Sequence, residues 1–552
     1  MTVRRFDPAA HARAMRDSGY WLDKTFDEFL TLALAATPHK TAVVADRADR
    51  DQPKRISYRE LGDLVARAAG SLREMGVGHG DIVAVQLPNW WEFVVTALAC
   101  GRIGAVINPL MPIFRERELS YMLGFAEAKV LVVPKVFRNF DHAAMAAALK
   151  AGLPALKHVI VVDGKDADSF ENRLISGNAR VEPSASGAGS VLQPDDLAVM
   201  MYTSGTTGSP KGVMHTTNTL MACTNSLAGR FGLEAEDVLL GCSPFGHMTG
   251  YAATMLLGIR LGATIVLQDI WEVRRGVTLM ASEGISYIPA STPFLSDICD
   301  AVAGGAARPS QLRSFLCGGA PIPSALIERA ERELNLKVCS LFGMTEALSA
   351  TLTEPARAAE KSAKTDGRAL EGVEVRVVDL EGNAVPFGVT GRLLVRGAQM
   401  LIGYYKRPDI ETFDAEGWFD TGDLAYMDND GYIRINGRTK DVVIRGGENV
   451  PVFEIENLLY KHPAVAAASL VGYPDERLGE RVCAFVVLRP GAKLDLTAVQ
   501  TYMDDCKVAK QYWPERVEIV DELPRTLSGK IQKFILRERA KMFSDHLQNR
   551  SS

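Results

Sequence analysis

From Ala42 to about Leu267 short β-rich runs alternate with longer helical patterns, and this alternation narrows the possible folds more than any other feature of the chain. Ala42–Val44, Ile82–Val85, Val130–Val133, Val159–Val162 and Thr264–Leu267 read as strands, whereas Ser57–Met75 carries a helical pattern. Such alternation predicts parallel sheets covered by helices. The chain has 552 residues. A single core stops growing at ~250–300 residues, so at least two domains are expected.

Past about Glu371 the texture changes. Val373–Leu380, the turn Glu381–Asn383 and Gly391–Arg396 read as a hairpin, and Asp428–Gly431 joins two further short strands, predicting a β subdomain. Beyond Gly437 come short strands (Val442–Ile444, Ala467–Val471, Val482–Leu488) and helices (Phe453–Tyr460, Leu496–Val508, Ile531–Arg539). That segment is long enough for an independent domain. The expected class is therefore α/β. A large N-terminal domain, 1–437, has sheets covered by helices plus the β subdomain, and a small α+β C-terminal domain spans 438–552. Gly177–Ser190, rich in Gly, Ala and Ser, predicts a loop before the strand Leu197–Tyr202.

Composition excludes several function classes. Apolar residues make up 47% and charged residues 23%, with a net charge of -5 and no basic block, which disfavours nucleic acid and anionic membrane as partners. The longest apolar stretches are short or are broken by Arg102 and Arg260, so no ~20-residue membrane span is expected. Met1–Pro8 leads into no apolar segment, and the eight cysteines include no Cys-x-x-Cys pair. These features predict a cytoplasmic protein with reduced, buried thiols.

The chemistry is concentrated first at Tyr202–Gly212, Tyr-Thr-Ser-Gly-Thr-Thr-Gly-Ser-Pro-Lys-Gly. Gly205 and Gly208 let backbone N–H groups turn toward an anion. Thr203, Ser204, Thr206 and Thr207 add hydroxyl donors, and Lys211 adds a point charge suited to polyphosphate. A Walker loop would need glycine at Pro210 and a hydroxyl residue at Gly212, so a P-loop enzyme is disfavoured.

This loop resembles the phosphate loop of the adenylate-forming superfamily, which contains acyl-CoA synthetases, luciferases and adenylation domains. Further motifs follow in order. Phe342-Gly343-Met344-Thr345-Glu346 resembles the family's aromatic-Gly-x-Thr-Glu segment. The resemblance implies that Phe342 lies on adenine, Thr345 meets phosphate and Glu346 holds Mg2+. Phe342 stands where tyrosine or tryptophan is commoner, which keeps stacking and loses a hydroxyl. Gly318-Gly319-Ala320-Pro321 alone would read as a structural turn; the resemblance places it beside adenine and the acyl pocket. Asp423, at the end of Trp418–Asp423, is implied to bind the ribose hydroxyls.

Arg438 and Lys440 alone would read as a solvated hairpin end. By resemblance Arg438 contacts ribose or phosphate and Lys440 is the hinge of a mobile small domain. Lys530, in Pro524–Ile531, matches the lysine that bridges substrate carboxylate and ATP; otherwise it is a surface lysine at a helix start. Gly446 and Gly447 are implied to line the coenzyme A tunnel, although Pro451 sits one place earlier than in the commoner pattern. That variant resembles bacterial short- and medium-chain acyl-CoA ligases, including cyclohexanecarboxylate-CoA ligase.

Phe245, Gly246 and His247 resemble part of the acyl-pocket wall, with Gly318 nearby, and the resemblance implies that His247 lies near the substrate carboxylate as a catalytic residue. A lone histidine is more often a core or surface residue. No acid is present to meet an ammonium, so an α-amino acid substrate is disfavoured. The implied activity joins a small to medium aliphatic or alicyclic acid to coenzyme A through acyl-AMP, using ATP and Mg2+. A carrier-protein acceptor and a non-catalytic nucleotide binder remain alternatives, and a second copy of the chain, as a homodimer, is a candidate partner.

Replacing Lys530 by alanine is expected to lower acid-dependent pyrophosphate exchange at least about 100-fold, because charge stabilisation between two anions is lost. Thioester formation from supplied acyl-adenylate should persist. Equal loss of both half-reactions would remove the assigned role.

Overall fold

The computed structural model describes residues 6–183, 192–203, 210–319, 322–445, 448–475, 477–525 and 531–543, without the side chains of Lys440, Ile444, Glu448 and Asn449. The chain divides into two compact units, Met1–Val375 with Val395–Phe419, and Arg376–Leu394 with Asp420–Ser552. The Gly437/Arg438 boundary expected from sequence falls inside the second.

Among the described residues, a nine-stranded sheet of the first unit runs Arg368–Ala369, Leu348–Leu352, Lys337–Met344, Ser314–Gly318, Tyr287–Ala290, Val238–Gly241, Thr264–Gln268, Thr41–Asp46, Lys54–Ser57. From Lys337–Met344 through Thr41–Asp46 its neighbours pair in parallel, and the strands beyond are antiparallel. A seven-stranded sheet runs Gly403–Tyr404, Lys211–Thr216, Leu197–Thr203, Val106–Pro109, Ile82–Val85, Val130–Pro134, His158–Val162. The predicted α/β layering is present. The strands Val238–Gly241, Tyr287–Ala290, Ser314–Gly318 and Lys337–Met344 lie side by side and parallel, so the loops leaving them emerge at one edge. In open parallel sheets that carboxyl edge is where ligands bind.

Local chemistry explains the covering helices. Ser57 accepts from the Glu60 N–H, and Glu60 Oε2 accepts from the Ser57 N–H at 2.7 Å. This capping box starts the helix Tyr58–Glu74, whose Leu61, Val65, Ala68, Ala69 and Leu72 line one buried stripe. Helix Trp91–Ile103 is buried almost all round and even encloses Arg102. The Arg102 guanidinium reaches Asp27 Oδ1 at 2.7 Å.

In the second unit, Gly479–Leu488 is flanked by Val465–Asp475 and Val443–Arg445, with Arg516–Ile519 paired to it in parallel. Helices Val452–Lys461 and Leu496–Asp505 cover this sheet with Ile455, Leu459, Val499 and Met503. The expected helix 496–508 stops early because Lys507 adopts a left-handed φ of 58°. The expected Glu381–Asn383 and Asp428–Gly431 turns join Val373–Val378, Gly391–Gly397, Phe419–Met427 and Ile433–Arg438 in one four-stranded sheet. All eight cysteines are unpaired and only Cys506 is partly exposed. No helix of the described residues is long and apolar enough to cross a membrane.

Arg102→Ala leaves Asp27 buried without its counter-charge, which typically costs about 3–5 kcal/mol. A lowered first thermal transition is expected. Arg102→Met combined with Asp27→Leu should recover most of the loss; a double variant as unstable as Arg102→Ala would contradict the ion-pair account.

Candidate active site

The stem of the predicted phosphate loop is an antiparallel pair. Thr203 ends the strand Leu197–Thr203 and is the register partner of Lys211, which opens Lys211–Thr216. Ser204, Gly205, Thr206, Thr207 and Gly208 lie outside the described residues. Helix Glu116–Ala126 braces both sides of the stem: Tyr202 donates to the Met122 carbonyl at 2.6 Å, and Tyr121 to the Pro210 carbonyl at 3.3 Å. Lys211 Nζ stands 4.8 Å from the Tyr404 ring centre.

Next to this stem lies the turn after Lys337–Met344. Phe342, half-buried, is paired with Thr351, and Gly343 with Ser349. A Cβ at Gly343 would come within 2.2 Å of the Leu348 carbonyl oxygen, so the strand can turn back here only at glycine. Glu346 is 8% exposed. Its Oε1 accepts from the Tyr404 hydroxyl at 3.2 Å, and its carbonyl from the Leu401 N–H at 2.8 Å. Burial and the adjacent Glu346 charge raise the Tyr404 hydroxyl well above the usual phenol range, so it remains a donor. Behind the turn, His215 Nε2 lies 2.7 Å from the Thr345 carbonyl. Burial lowers the His215 pKa to about 4, against the raising effect of that hydrogen bond. The imidazole is therefore neutral, and since a carbonyl only accepts, Nε2 carries the proton.

At the segment expected to form the acyl wall, Asn89 is buried and fully engaged. Its Nδ2 donates to the Gly241 and Ser243 carbonyls at 2.9 and 2.8 Å, and its Oδ1 accepts from the Phe245 N–H at 2.9 Å. Ser243 Oγ donates to the Pro289 carbonyl at 2.9 Å. These bonds tie the loop after Val238–Gly241 to its neighbours. The Phe245 ring is wholly buried, 5.1 Å from the Phe93 ring, and so faces the core. Gly246 abuts Met111, and His247 is exposed. His247 Nδ1 accepts from the Thr249 N–H at 3.2 Å, which leaves the proton of the neutral ring on Nε2. A π-helical stretch, Tyr251–Leu256, follows, a feature frequent at functional sites. Gly318 ends its strand, and Gly319 holds a φ of 90° that side chains disfavour. Ala320 and Pro321 lie outside the described residues.

In the second unit the structure brings Asp423 and Arg438 together as register partners of Phe419–Met427 and Ile433–Arg438. Arg438 Nε meets Asp423 Oδ1 at 2.9 Å, with Asp423 5% and Arg438 46% exposed. The pair thus sets a half-exposed guanidinium against a buried carboxylate. Lys440 lies in the 3-10 turn Thr439–Asp441, and Asp441 pairs with Arg537. The Lys440 side chain, Gly446, Gly447 and Lys530 fall outside the described residues.

Residues 30–405 match the family of AMP-binding enzymes, and residues 454–530 the AMP-binding enzyme C-terminal domain. The chain belongs to the AMP-binding enzyme family. It is 35% identical to the medium-chain fatty-acid–CoA ligase of Escherichia coli, over 95% of this chain and 92% of that protein. It is 33% identical to a 7a-methyl-1,5-dioxo-octahydroindenyl-propanoyl:CoA ligase of Mycobacterium tuberculosis, over 91% and 96%. ATP-bound MatB from Rhodopseudomonas palustris superposes with a TM-score of 0.82 at 29% identity, covering 94% of this chain and 99% of MatB. This AMP-binding enzyme is an AMP-forming acyl-CoA ligase of the adenylate-forming superfamily. Its relatives act on fatty, aryl and alicyclic acids, so membership leaves the acid open.

Three residues of this AMP-binding enzyme escape a motif search: Tyr404, His215 and Asn89. Each lies far along the chain from the residue it holds, Tyr404 by 58 positions from Glu346 and Asn89 by 156 from Phe245. Gly403-Tyr404-Tyr405 offered an aromatic pair before a charged run, and nothing in it pointed to Glu346.

Tyr404→Phe keeps the ring beside Lys211 and removes the donor to Glu346. A hydrogen bond to a charged group is worth roughly 1.5–3 kcal/mol, so kcat/KM for MgATP should fall at least about tenfold. The KM for the acid should hold. An unchanged MgATP response would exclude this contact from the site.

Proposed function

We propose that this chain activates a small to medium aliphatic or alicyclic carboxylic acid with MgATP and passes the acyl group to coenzyme A. In the first step the acid's carboxylate oxygen attacks the α-phosphorus and the bond to the β-phosphate oxygen breaks, giving acyl-AMP and pyrophosphate. In the second, the coenzyme A sulfur attacks the acyl carbonyl carbon, the thiol proton leaves, and the carbon–oxygen bond to AMP breaks.

Residue roles follow from chemistry and from resemblance. Lys211 and Thr203 would hold the phosphates that leave as pyrophosphate. Phe342 would carry the adenine face, and Asp423, steadied by Arg438, would accept the ribose hydroxyls. Thr345 would donate to phosphate. Glu346 is a hard oxygen donor held in place by Tyr404, which fits magnesium bound by one carboxylate together with substrate phosphates. Bound there, magnesium would supply charge neutralisation of the phosphates. Lys530 would bring the carboxylate to the α-phosphate. We further propose that residues 438–552 act as a lid pivoting at Lys440, with Gly446 and Gly447 along the pantetheine path.

The substrate class rests on the segment Phe245–Gly250, which bears no acidic side chain and whose one titratable group, His247, is exposed. Gly318, half-buried at a neighbouring strand end, adds a small surface. Such walls suit an uncharged acyl body. The likeness to a medium-chain fatty-acid ligase and to an alicyclic propanoyl ligase agrees with this reading. A carrier-protein acceptor is the second reading, favoured by 33% identity to a salicyl-AMP ligase / salicyl-S-ArCP synthetase of Mycobacterium tuberculosis.

A screen of linear, alicyclic and aromatic acids, with AMP release read in the presence of coenzyme A or a phosphopantetheinyl carrier, tests both. An aliphatic or alicyclic acid should exceed salicylate in kcat/KM by at least about tenfold, a margin that pocket contacts of a few carbons supply. Coenzyme A should be the acceptor. Preference for salicylate overturns the substrate class, and acyl transfer to the carrier alone overturns the acceptor.

A further inference from the structure

His215 has no exposed surface, yet it shares a strand face with the phosphate site. Lys211, Val213 and His215 alternate along Lys211–Thr216, and the only register shift comes after His215, so their side chains point the same way. Tyr404 is the cross-strand partner of Val213 and shares that face. Two of these residues converge on one turn: Tyr404 meets the Glu346 carboxylate, and His215 Nε2 meets the Thr345 carbonyl at 2.7 Å.

The Thr345 carbonyl belongs to the peptide plane that joins Thr345 to Glu346. Net rotation about ψ of Thr345 or φ of Glu346, the bonds at either edge of that plane, would redirect the Glu346 side chain relative to that of Thr345. His215 restrains it directly through the Thr345 carbonyl, while the Leu401 N–H fixes the next peptide plane through the Glu346 carbonyl and the Tyr404 hydroxyl holds the carboxylate. On its other edge, His215 Nδ1 lies 3.1 Å from Thr219 Oγ1, the hydroxyl that also accepts from the Thr216 N–H at the start of helix Thr217–Phe231. The imidazole is a spacer of fixed length between a helix cap and the turn. An apolar side chain of similar size would fill the volume but leave the buried carbonyl without its donor.

We propose that His215 is a positioning residue for MgATP: its Nε2–H holds the Thr345–Glu346 peptide plane so that Thr345 faces phosphate and Glu346 faces the accompanying metal. The inference rests on the reading of Glu346 as the metal-side carboxylate. His215 itself touches no substrate and moves no proton.

Titration calorimetry of the full chain, without acid or coenzyme A, compares MgATP with ATP in EDTA for native protein, His215→Phe, His215→Gln and Glu346→Gln. His215→Phe should bind MgATP about tenfold more weakly, while ATP in EDTA shifts less than about threefold, because only the metal-linked contact through Glu346 is fully lost. His215→Gln, whose amide N–H can reach the same carbonyl, should stay within about threefold of native for MgATP. Equal weakening toward both ligands, no weakening, or failure of glutamine to restore binding overturns the proposal. If His215→Phe does not fold, His215→Asn, which keeps an amide but falls short of the carbonyl, takes its place with the same expectation. Glu346→Gln should itself lose the preference for MgATP. If it keeps that preference, the metal-side reading of Glu346 fails, a result separate from any shown by the His215 variants.

Discussion

The first unit's site depends on the placement of one antiparallel strand. Lys211–Thr216 lies between Leu197–Thr203 and Gly403–Tyr404 at the edge of an otherwise parallel sheet. Because strand side chains alternate with period two, this register puts Lys211, His215 and Tyr404 on the face toward the Thr345–Glu346 turn. A slip of this strand by one residue would turn Lys211 and His215 away. The opposite face is closed by packing, since Gly212 has Met200 and Tyr405 within contact distance.

Several buried polar groups that shape loops of the first unit have partners that only the fold can supply. Asn89 spends its amide on the carbonyls of Gly241 and Ser243 and its carbonyl on Phe245. Tyr404 and His215 do the same for the turn at Glu346. In a low-dielectric interior such bonds are directional and costly to leave unmade, so they hold loop geometry more firmly than apolar contacts could. The Asp423–Arg438 pair in the second unit is a more exposed version, with its carboxylate oriented by a neighbour on the adjoining strand.

Much of the secondary structure was legible. Ile82–Val85 appears over the residues read as a strand, and Ser57 caps the helix expected from its neighbourhood. Periodicity and capping act within a few residues, so local sequence carries them. The helix Leu496–Asp505 shows the limit: its pattern continues to Val508, but the left-handed Lys507 ends it. Phe245 shows another limit. Its motif pointed to the acyl wall, whereas packing on Phe93 turns the ring into the core.

By itself the sequence determined the strand–helix alternation and the order of motifs from Tyr202–Gly212 down to Lys530, and hence the adenylate-forming family. Each depends on short stretches whose composition already carries the physics. Tertiary structure alone decided which residues support the candidate site: that Tyr404 holds Glu346, that His215 reaches the Thr345 carbonyl 130 positions away, and that Asn89 pins the loop after Val238–Gly241. Such partners are chosen by sheet order and register. Register is set by the burial of whole strand faces, and no short stretch of chain contains that information.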